Sequence, residues 1–176
     1  MTKEERIQIL RDMDIVDEIQ IIQLDRMGFF TAPASTKFHG DYEGGLFDHS
    51  LEVTKALIKL TDKMCFLWLR NISPLIVGMF HDLCKCDQYE VISHPCDPDV
   101  KYGRNDKTLL KGHGAKSVML LSQFMMLTEE EILCIRYHMG AYETDEWNEY
   151  DRAIRKYPNV LFTHTADMIA SKIAGV

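Results

Sequence analysis

The sequence predicts an all-α fold in a single domain, for three reasons. Apolar residues recur at helical spacing through most of the chain, and several of these segments begin at a capping pair or end at a glycine or proline. Only residues 88–106 lose the helical pattern. A length of 176 residues, 46% of them hydrophobic, suits one domain with its own core, and we take residues 1–176 as that domain.

Two short helices are expected first. Thr2 and Glu5 form a capping box for the first helix. The second is expected at about residues 14–27, and Gly28 supplies the left-handed residue that ends it. Residues 29–45 are rich in turn formers and are expected to form a loop. The predicted apolar stripe of the second helix consists of Ile15, Ile19, Ile22 and Met27.

A longer helix is expected from Leu46 to Met64, and it carries a histidine on its apolar side. His49 lies three residues after Leu46 and four before Val53, which places all three residues on one face. A single histidine in such a position is more often a hydrogen-bonded core residue than a metal ligand.

The next helix, from Pro74 to about Cys84, is strongly apolar and ends in the pair His81 and Asp82. Pro74 suits a first helical turn. Because a polar pair at the end of a buried helix is costly unless something satisfies it, these two residues need a partner.

The second half is predicted to hold four more helices after a small β-hairpin or irregular excursion at residues 88–106. The run VMLLSQFMML, residues 118–127, is expected to lie in a buried helix. The helices are expected at about His113–Met126, Thr128–His138, Asn148–Lys156 and Asn159–Ala174.

Several helices bring a histidine or an aspartate to an apolar face or a helix end. Burying many titratable groups costs several kcal/mol per charged group unless they pair or bind cations. A divalent metal ion resolves this cost, because imidazole and carboxylate groups are its natural ligands. The residues concerned are His49, His81, Asp82, His113, His138 and Asp167.

The order of these residues resembles that of the HD-domain metal-dependent phosphohydrolases. His49, the doublet His81–Asp82 and Asp167 follow the family pattern His … His-Asp … Asp. The phrases YEGGLFDHSLEV, MFHDLCK and HTADMIAS are similar to the GGL-x-x-H, hydrophobic-x-H-D-x-x-K and x-A-D elements of such domains. They look most like the HD domains of bacterial exoribonucleases and relaxase-associated proteins, and the resemblance covers roughly residues 38–172.

The resemblance implies a helical bundle that holds one or two divalent metal ions, of manganese, iron, magnesium, nickel or cobalt. The first ion would be ligated by His49, His81, Asp82 and Asp167. Members with two ions add two histidines between the doublet and the last aspartate, where this chain has His113 and His138. Asp82 would then bridge the ions.

The implied activity is hydrolysis of a phosphate ester in a nucleotide or short oligonucleotide, by attack of a metal-bound hydroxide on phosphorus. The sequence leaves open whether the ester is a monoester or a diester. The alternative is a non-catalytic module with the HD fold that senses a nucleotide or serves a partner protein. The full set of ligands speaks against that alternative.

Basic residues near the doublet are candidates for substrate contacts. The resemblance makes Lys85 a phosphate contact and a catalytic residue beside Asp82; a solvated lysine at a helix C-terminus is the alternative. Arg104 and Lys111 belong to a basic segment that either holds an anionic substrate or forms an ordinary solvated loop. His39 either contacts the substrate or is an exposed loop histidine.

The five cysteines allow a second metal hypothesis, which their spacing disfavours. Cys84 and Cys86 are separated by one residue and lack a second pair, whereas structural zinc sites use paired cysteines at wider spacing. Packing is their favoured role. His164, one helical turn before Asp167, is expected to be a core histidine, with a role behind the metal ligands as the alternative.

The expected partner is a small phosphorylated molecule. A net charge of −7 disfavours tight binding to long nucleic acid. The charged N-terminus does not resemble a signal peptide, no apolar run is long enough for a membrane span, and free thiols suit a reducing cytosol. We therefore expect a cytoplasmic protein.

Overall fold

The computed structural model describes residues 1–37, 40–92, 101–140 and 147–175. In these ranges the chain forms eight α-helices and one antiparallel pair of strands, so the prediction of a mostly helical fold is confirmed. A 3₁₀ turn, Leu83–Cys86, follows the fourth helix, and a π-helical turn, Ala170–Ala174, continues the last. The helices are α1 (Lys3–Asp12), α2 (Glu18–Met27), α3 (Gly45–Met64), α4 (Ser73–Phe80), α5 (Gly114–Leu121), α6 (Glu129–Arg136), α7 (Trp147–Lys156) and α8 (Asn159–Ile169).

Helices α1 and α2 both begin at capping boxes. Thr2 Oγ1 accepts a hydrogen bond from the backbone N–H of Glu5 at 3.2 Å, as predicted. Asp17 caps α2 in the same way, so α2 begins later than predicted. Gly28 ends α2 with a φ of 89°, a conformation that glycine adopts without strain.

The predicted apolar stripe of α2 is wrong. Ile19 and Ile22 are exposed, whereas Ile21 and Leu24 are buried in the core. The stripe was extended back to Ile15, but that residue lies in the turn before Asp17. Helical spacing does not continue across a turn, so the register chosen from Ile15 selects the wrong face.

Helix α3 lies at the centre of the fold and packs against α4 and α8. The approach of α4 is close because Gly78 has no side chain: a Cβ there would lie 2.6 Å from the Cα of Thr54 on α3. At the neighbouring end of the core, the ring of Phe29 makes edge contacts with Phe30 and Phe47 at centroid distances of 5.5 and 5.6 Å. This packing brings the inward face of α3 beside the end of α4.

The region without helical pattern contains the only strands among the described residues. Strand β1 (Tyr89–Val91) pairs with β2 (Tyr102–Arg104), with Tyr89 opposite Arg104. The hairpin prediction is therefore confirmed for these two strands. Residues 93–100, which include His94 and Cys96, lie outside the described residues.

Helix α5 is shorter than predicted, and residues 118–127 do not form a buried helix. The helix ends at Leu121. Ser122 and Gln123 are exposed, and Met126 is 89% exposed. The two polar residues meet solvent and the chain turns toward Thr128, whose side chain caps α6 as predicted. None of the described helices combines the length and apolar composition that a membrane crossing requires.

Candidate metal centre

Five helices or their ends deliver histidine and aspartate side chains to one place. Four of these side chains are buried and two are partly buried. They are His49 on α3, His81 and Asp82 at the end of α4, His113 before α5, His138 after α6 and Asp167 on α8.

The backbone at the end of α4 places the doublet. The His81 N–H still donates to the carbonyl of Val77 at 3.0 Å, as in a helix. Asp82 leaves the helix with φ −109° and ψ 22°, and its carbonyl accepts from the N–H of Lys85 at 2.9 Å. This change from helix to 3₁₀ turn puts Asp82 at the centre of the cluster.

Two glycines allow the close approach of the elements that carry the other histidines. A Cβ on Gly114 would lie 2.6 Å from the carbonyl carbon of Arg136, so the backbone at the start of α5 packs directly against the end of α6. Gly140 has a φ of 57°, and a Cβ there would lie 2.8 Å from the ring of His164. These contacts bring His113 close to His138, with ring centroids 5.4 Å apart.

One oxygen of Asp82 faces two histidines. Nε2 of His138 lies 3.3 Å and Nε2 of His113 lies 3.6 Å from Asp82 Oδ1. The three residues form one group whose possible ligand atoms all lie within 4.8 Å of one another.

The other oxygen of Asp82 faces a second set of side chains. Nε2 of His81 lies 3.5 Å and Nε2 of His49 lies 3.8 Å from Asp82 Oδ2. His49 Nε2 also lies 3.2 Å from Oδ1 of Asp167. His49, His81 and Asp82 form a second group of possible ligands, and His81 with His138 and Asp167 a third. These buried groups could hold a metal ion.

The hydrogen bonds of two histidines suit ligation through Nε2. Nδ1 of His81 contacts the carbonyl of Gly78 at 2.8 Å, and Nδ1 of His138 contacts the carbonyl of Ile135 at 2.7 Å. A carbonyl only accepts, so Nδ1 carries the hydrogen, and in the neutral ring Nε2 presents its lone pair. Both Nε2 atoms are buried and have no hydrogen-bond partner among the described residues. A buried lone pair facing a carboxylate is costly unless a cation lies between them, so these donors fit a divalent metal ion.

The local charges keep the aspartates ionised. Burial alone would raise the pKa of Asp82, but its polar neighbours, the Lys85 ammonium group first among them, outweigh burial and hold that pKa well below its usual range. Burial likewise opposes ionisation of Asp167, and the hydrogen bond with His49 overcomes it and lowers the pKa. Both carboxylates are therefore available as anionic ligands.

The histidines respond to burial in two ways. Burial lowers the pKa of His81, and it lowers the pKa of His113 to about 4, so both rings are neutral at pH 7. Burial would also lower the pKa of His138, but the contact with Asp82 outweighs it and raises that pKa. A metal ion would therefore compete with a proton for His138.

The cluster opens on a cavity of about 240 Å³. Asp82, His113 and Asp167 contribute to its lining together with Lys85. Lys85 is 7% exposed, and its Nζ lies 2.7 Å from Asp82 Oδ2, so it is not a solvated surface lysine. Burial would lower the pKa of Lys85, but Asp82 outweighs it and raises that pKa, so the side chain remains an ammonium group.

The other described residues that were predicted to contact the substrate do not line this cavity. Arg104 and Lys111 line a neighbouring cavity of about 220 Å³, which shares His113 with the first. Lys116 lies in that cavity too, but it is buried and its charge is paired with Asp87. His39 lies outside the described residues.

The lining of the cavity also includes residues that were not predicted as metal ligands or substrate contacts. His164, expected to be a core histidine, lines the cavity, and its Nδ1 contacts the carbonyl of His138 at 2.8 Å. Ser171 and Lys172 line it as well. His164 and Ser171 lie three residues before and four after Asp167, a spacing that puts them on one helical face. That spacing is the signal that could have identified them.

The cysteines do not form a metal site among the described residues, since no cysteine belongs to the three ligand groups. Cys84 is fully buried, as a packing role predicts. It has a further contact that the sequence did not indicate: its Sγ lies 2.7 Å from Nδ1 of His113.

Comparison of the chain with protein-family models, with curated proteins and with solved structures finds no match in any of the three. The candidate metal centre is therefore defined by the geometry of this chain alone.

Proposed function

We propose that the chain is a metal-dependent phosphohydrolase of the HD-domain type, which cleaves a phosphate ester of a nucleotide or short oligonucleotide. One observation carries the proposal: the two oxygens of Asp82 are faced by four imidazole nitrogens from different elements, next to a cavity that a buried lysine lines. A cation site with an adjoining cavity and a fixed ammonium group suits phosphoryl transfer, because cations stabilise the charge that develops on the phosphoryl oxygens.

The residues divide between two ions that share Asp82. One ion would be held by His49, His81, Asp82 and Asp167, and a second by Asp82, His113 and His138. Two of the three ligand groups support this division, because each matches one of these sets and both contain Asp82, whereas the third group takes residues from both sets. Bound there, divalent ions would activate water at neutral pH and neutralise charge on the phosphoryl oxygens.

Lys85 would bind the phosphoryl group of the substrate. Its contact with Asp82 fixes the ammonium group at the inner wall of the cavity. Because its pKa is raised, Lys85 acts as a permanent positive charge and not as a base. A charge that is already in place costs no reorganisation as negative charge develops on phosphorus oxygens.

The remaining walls of the cavity favour a compact organic ester. Met139 and Met168 supply apolar surface, and Lys172 supplies a second cation. A volume of about 240 Å³ is slightly below the ~300–1,000 Å³ that ligand sites typically span. The cavity size and the net charge of −7 both favour a mononucleotide-sized substrate over a long polymer.

The proposal is tested by a phosphate-release screen on the purified chain. The substrates are mononucleotides, cyclic nucleotides, dinucleotides and short oligonucleotides, each with manganese, iron, magnesium, nickel or cobalt. Metal-dependent release that chelation abolishes is the expected result. Tight nucleotide binding with less than one equivalent of metal and no hydrolysis under any condition would contradict the proposal and favour the non-catalytic module.

A further inference from the structure

We propose that Cys84 is a positioning residue for His113: its sulfur accepts the Nδ1 hydrogen of His113 and so directs Nε2 of that ring toward the second metal ion. The inference rests on the proposed metal centre and concerns the least buried of its histidines. It assigns Cys84 a role that neither its spacing nor its apolar surroundings indicate.

Cys84 is held in place by contacts on three sides. Its side chain is fully buried, and its backbone N–H donates to Ser117 Oγ on α5 at 3.0 Å. Its Sγ lies 2.7 Å from Nδ1 of His113 and 3.9 Å from Oδ1 of Asp82. The sulfur therefore lies between two of the proposed ligands of the second ion.

The partners of the thiol decide where the hydrogens lie. A thiol has one hydrogen, and the ionised carboxylate of Asp82 is a stronger acceptor than a neutral imidazole nitrogen. With its hydrogen directed to Asp82, the sulfur only accepts. Nδ1 of His113 must then be a donor, because two lone pairs in contact would repel each other. Nε2 is left with the lone pair that a metal ion needs.

His113 needs this acceptor because of its place in the fold. His81 and His138 each stand at the end of a helix and contact the carbonyl three residues earlier through Nδ1. His113 stands before the first residue of α5, so no preceding helical turn supplies such a carbonyl. A side chain from the 3₁₀ turn takes over that function, and Cys84 is the one in contact.

Loss of the sulfur should therefore weaken the second ion without removing any of its ligands. Partners that orient a ligating histidine are typically worth ~10–100-fold in metal affinity. We test this with Cys84→Ala, which removes the acceptor, and with Cys84→Ser, which keeps one. Cys86→Ala is the matched control, since it removes the same atom two residues later and Cys86 belongs to none of the ligand groups.

The first measurement uses metal-free protein. Nitrogen-detected imidazole NMR should show the hydrogen of His113 on Nδ1 in the wild type, in Cys84→Ser and in Cys86→Ala. In Cys84→Ala we expect a mixture of the two neutral forms. Calorimetric titration with Mn²⁺ then measures affinity: the second ion should bind ~10–100-fold more weakly to Cys84→Ala, with the first ion unchanged and most of the loss restored in Cys84→Ser.

Two results would overturn the inference: a wild-type His113 that carries its hydrogen on Nε2, or a Cys84→Ala protein that binds the second ion as tightly as the wild type does. A wild type that binds no ion contradicts the proposed function instead. In that case the form of His113 in the metal-free protein still decides whether Cys84 positions the ring.

Discussion

Among the described residues, acidic side chains are fully buried in two regions, and the two regions differ in the partners that satisfy these side chains. One region is the start of α6, where Glu130 and Glu131 are 2% and 0% exposed. The other is the cluster around Asp82, which is also 2% exposed. The charges are alike, but the partners that the chain supplies to them differ.

At the start of α6, side chains and the backbone of the chain itself donate hydrogen bonds to the carboxylate of Glu131. Glu131 Oε1 accepts from Ser73 Oγ at 2.7 Å and from Arg70 Nε at 3.1 Å. Glu131 Oε2 accepts from Arg70 Nη2 at 2.6 Å and from the N–H of Thr128 at 2.8 Å. Every lone pair has a donor, so this network connects α4, α6 and the preceding turn as a structural element.

Around Asp82 the chain supplies one ammonium group, from Lys85, and several imidazole groups. Lys85 contacts Oδ2 at 2.7 Å, whereas Nε2 of His138 and of His81 remain without a hydrogen-bond partner among the described residues. A buried charge with all its hydrogen bonds satisfied rigidifies a fold, while a buried polar cluster that is only partly paired is costly until a ligand binds. The contrast supports the Asp82 cluster as the candidate metal centre.

Asp82→Ala should give the largest effect on activity. Both proposed ions lose a ligand, so phosphate release should fall by more than ~10³-fold, beyond the loss typical of a single electrostatic group. Metal content, measured by mass spectrometry, should fall with it, while circular dichroism shows helical content largely intact.

The control for this change is Asp151→Ala, which removes an exposed carboxylate that pairs with Arg155 on α7. Activity and metal content should both match those of the wild type. Full activity in Asp82→Ala would show that the cluster does not perform the chemistry.

Glu131→Ala should give the largest effect on stability. The change leaves the buried hydroxyl of Ser73 without its acceptor and the partly exposed guanidinium of Arg70 without its ion-pair partner, and an unsatisfied buried donor typically costs ~1–3 kcal/mol in the free energy of unfolding. Urea unfolding of the metal-free protein measures this loss. Metal bound per folded molecule should not change, because Glu131 belongs to none of the ligand groups. A loss of metal without a loss of stability would reverse the roles assigned to the two regions.

The capping box at the start of α6 was predictable from sequence, because it acts over three residues. Thr128 and Glu131 form it, as their spacing indicates. Positions of histidines at helix ends were also visible, since helix ends have local signals. The convergence of His113 and His138 was expected only through the resemblance to a family, because no local rule says which helix ends meet.

Other features depend on long-range packing and were therefore missed or misread. The contact between Cys84 and His113 joins residues 29 positions apart. It depends on the close approach of α5 and α6 at Gly114, which no local pattern encodes. The wrong face chosen for α2 has a similar origin, because Asp17 begins the helix after Ile15 and breaks the register. Side chains that meet across elements need the packed structure to be recognised.

Lys85→Ala should affect turnover more than metal binding. If Lys85 binds the phosphoryl group, the loss of one preorganised charge should lower kcat by ~10²-fold, with the metal content near that of the wild type. Steady-state kinetics with the best substrate of the screen measures the effect. Lys172→Ala is the comparison, because Lys172 lines the same cavity but is exposed, and we expect a smaller change, mainly in KM. Unchanged kinetics in Lys85→Ala would make the lysine only a partner of Asp82.

The smallest expected effect is on the pH dependence of the free energy of unfolding of the metal-free protein. This measurement tests whether the buried cluster lowers stability. Burial lowers the pKa of His113 to about 4 in the fold, below the ~6.5 of an unfolded histidine. The unfolded chain therefore takes up a proton first, so His113 lowers the free energy of unfolding as the pH falls from about 6.5 to about 4. His138 has a raised pKa and acts with the opposite sign, whereas the lowered pKa values of Asp82 and Asp167 contribute losses only below this window. Urea unfolding in chelator at a series of pH values should therefore give a flatter curve of unfolding free energy against pH for His113→Asn than for the wild type. Parallel curves would show that burial of His113 does not lower the stability of the protein.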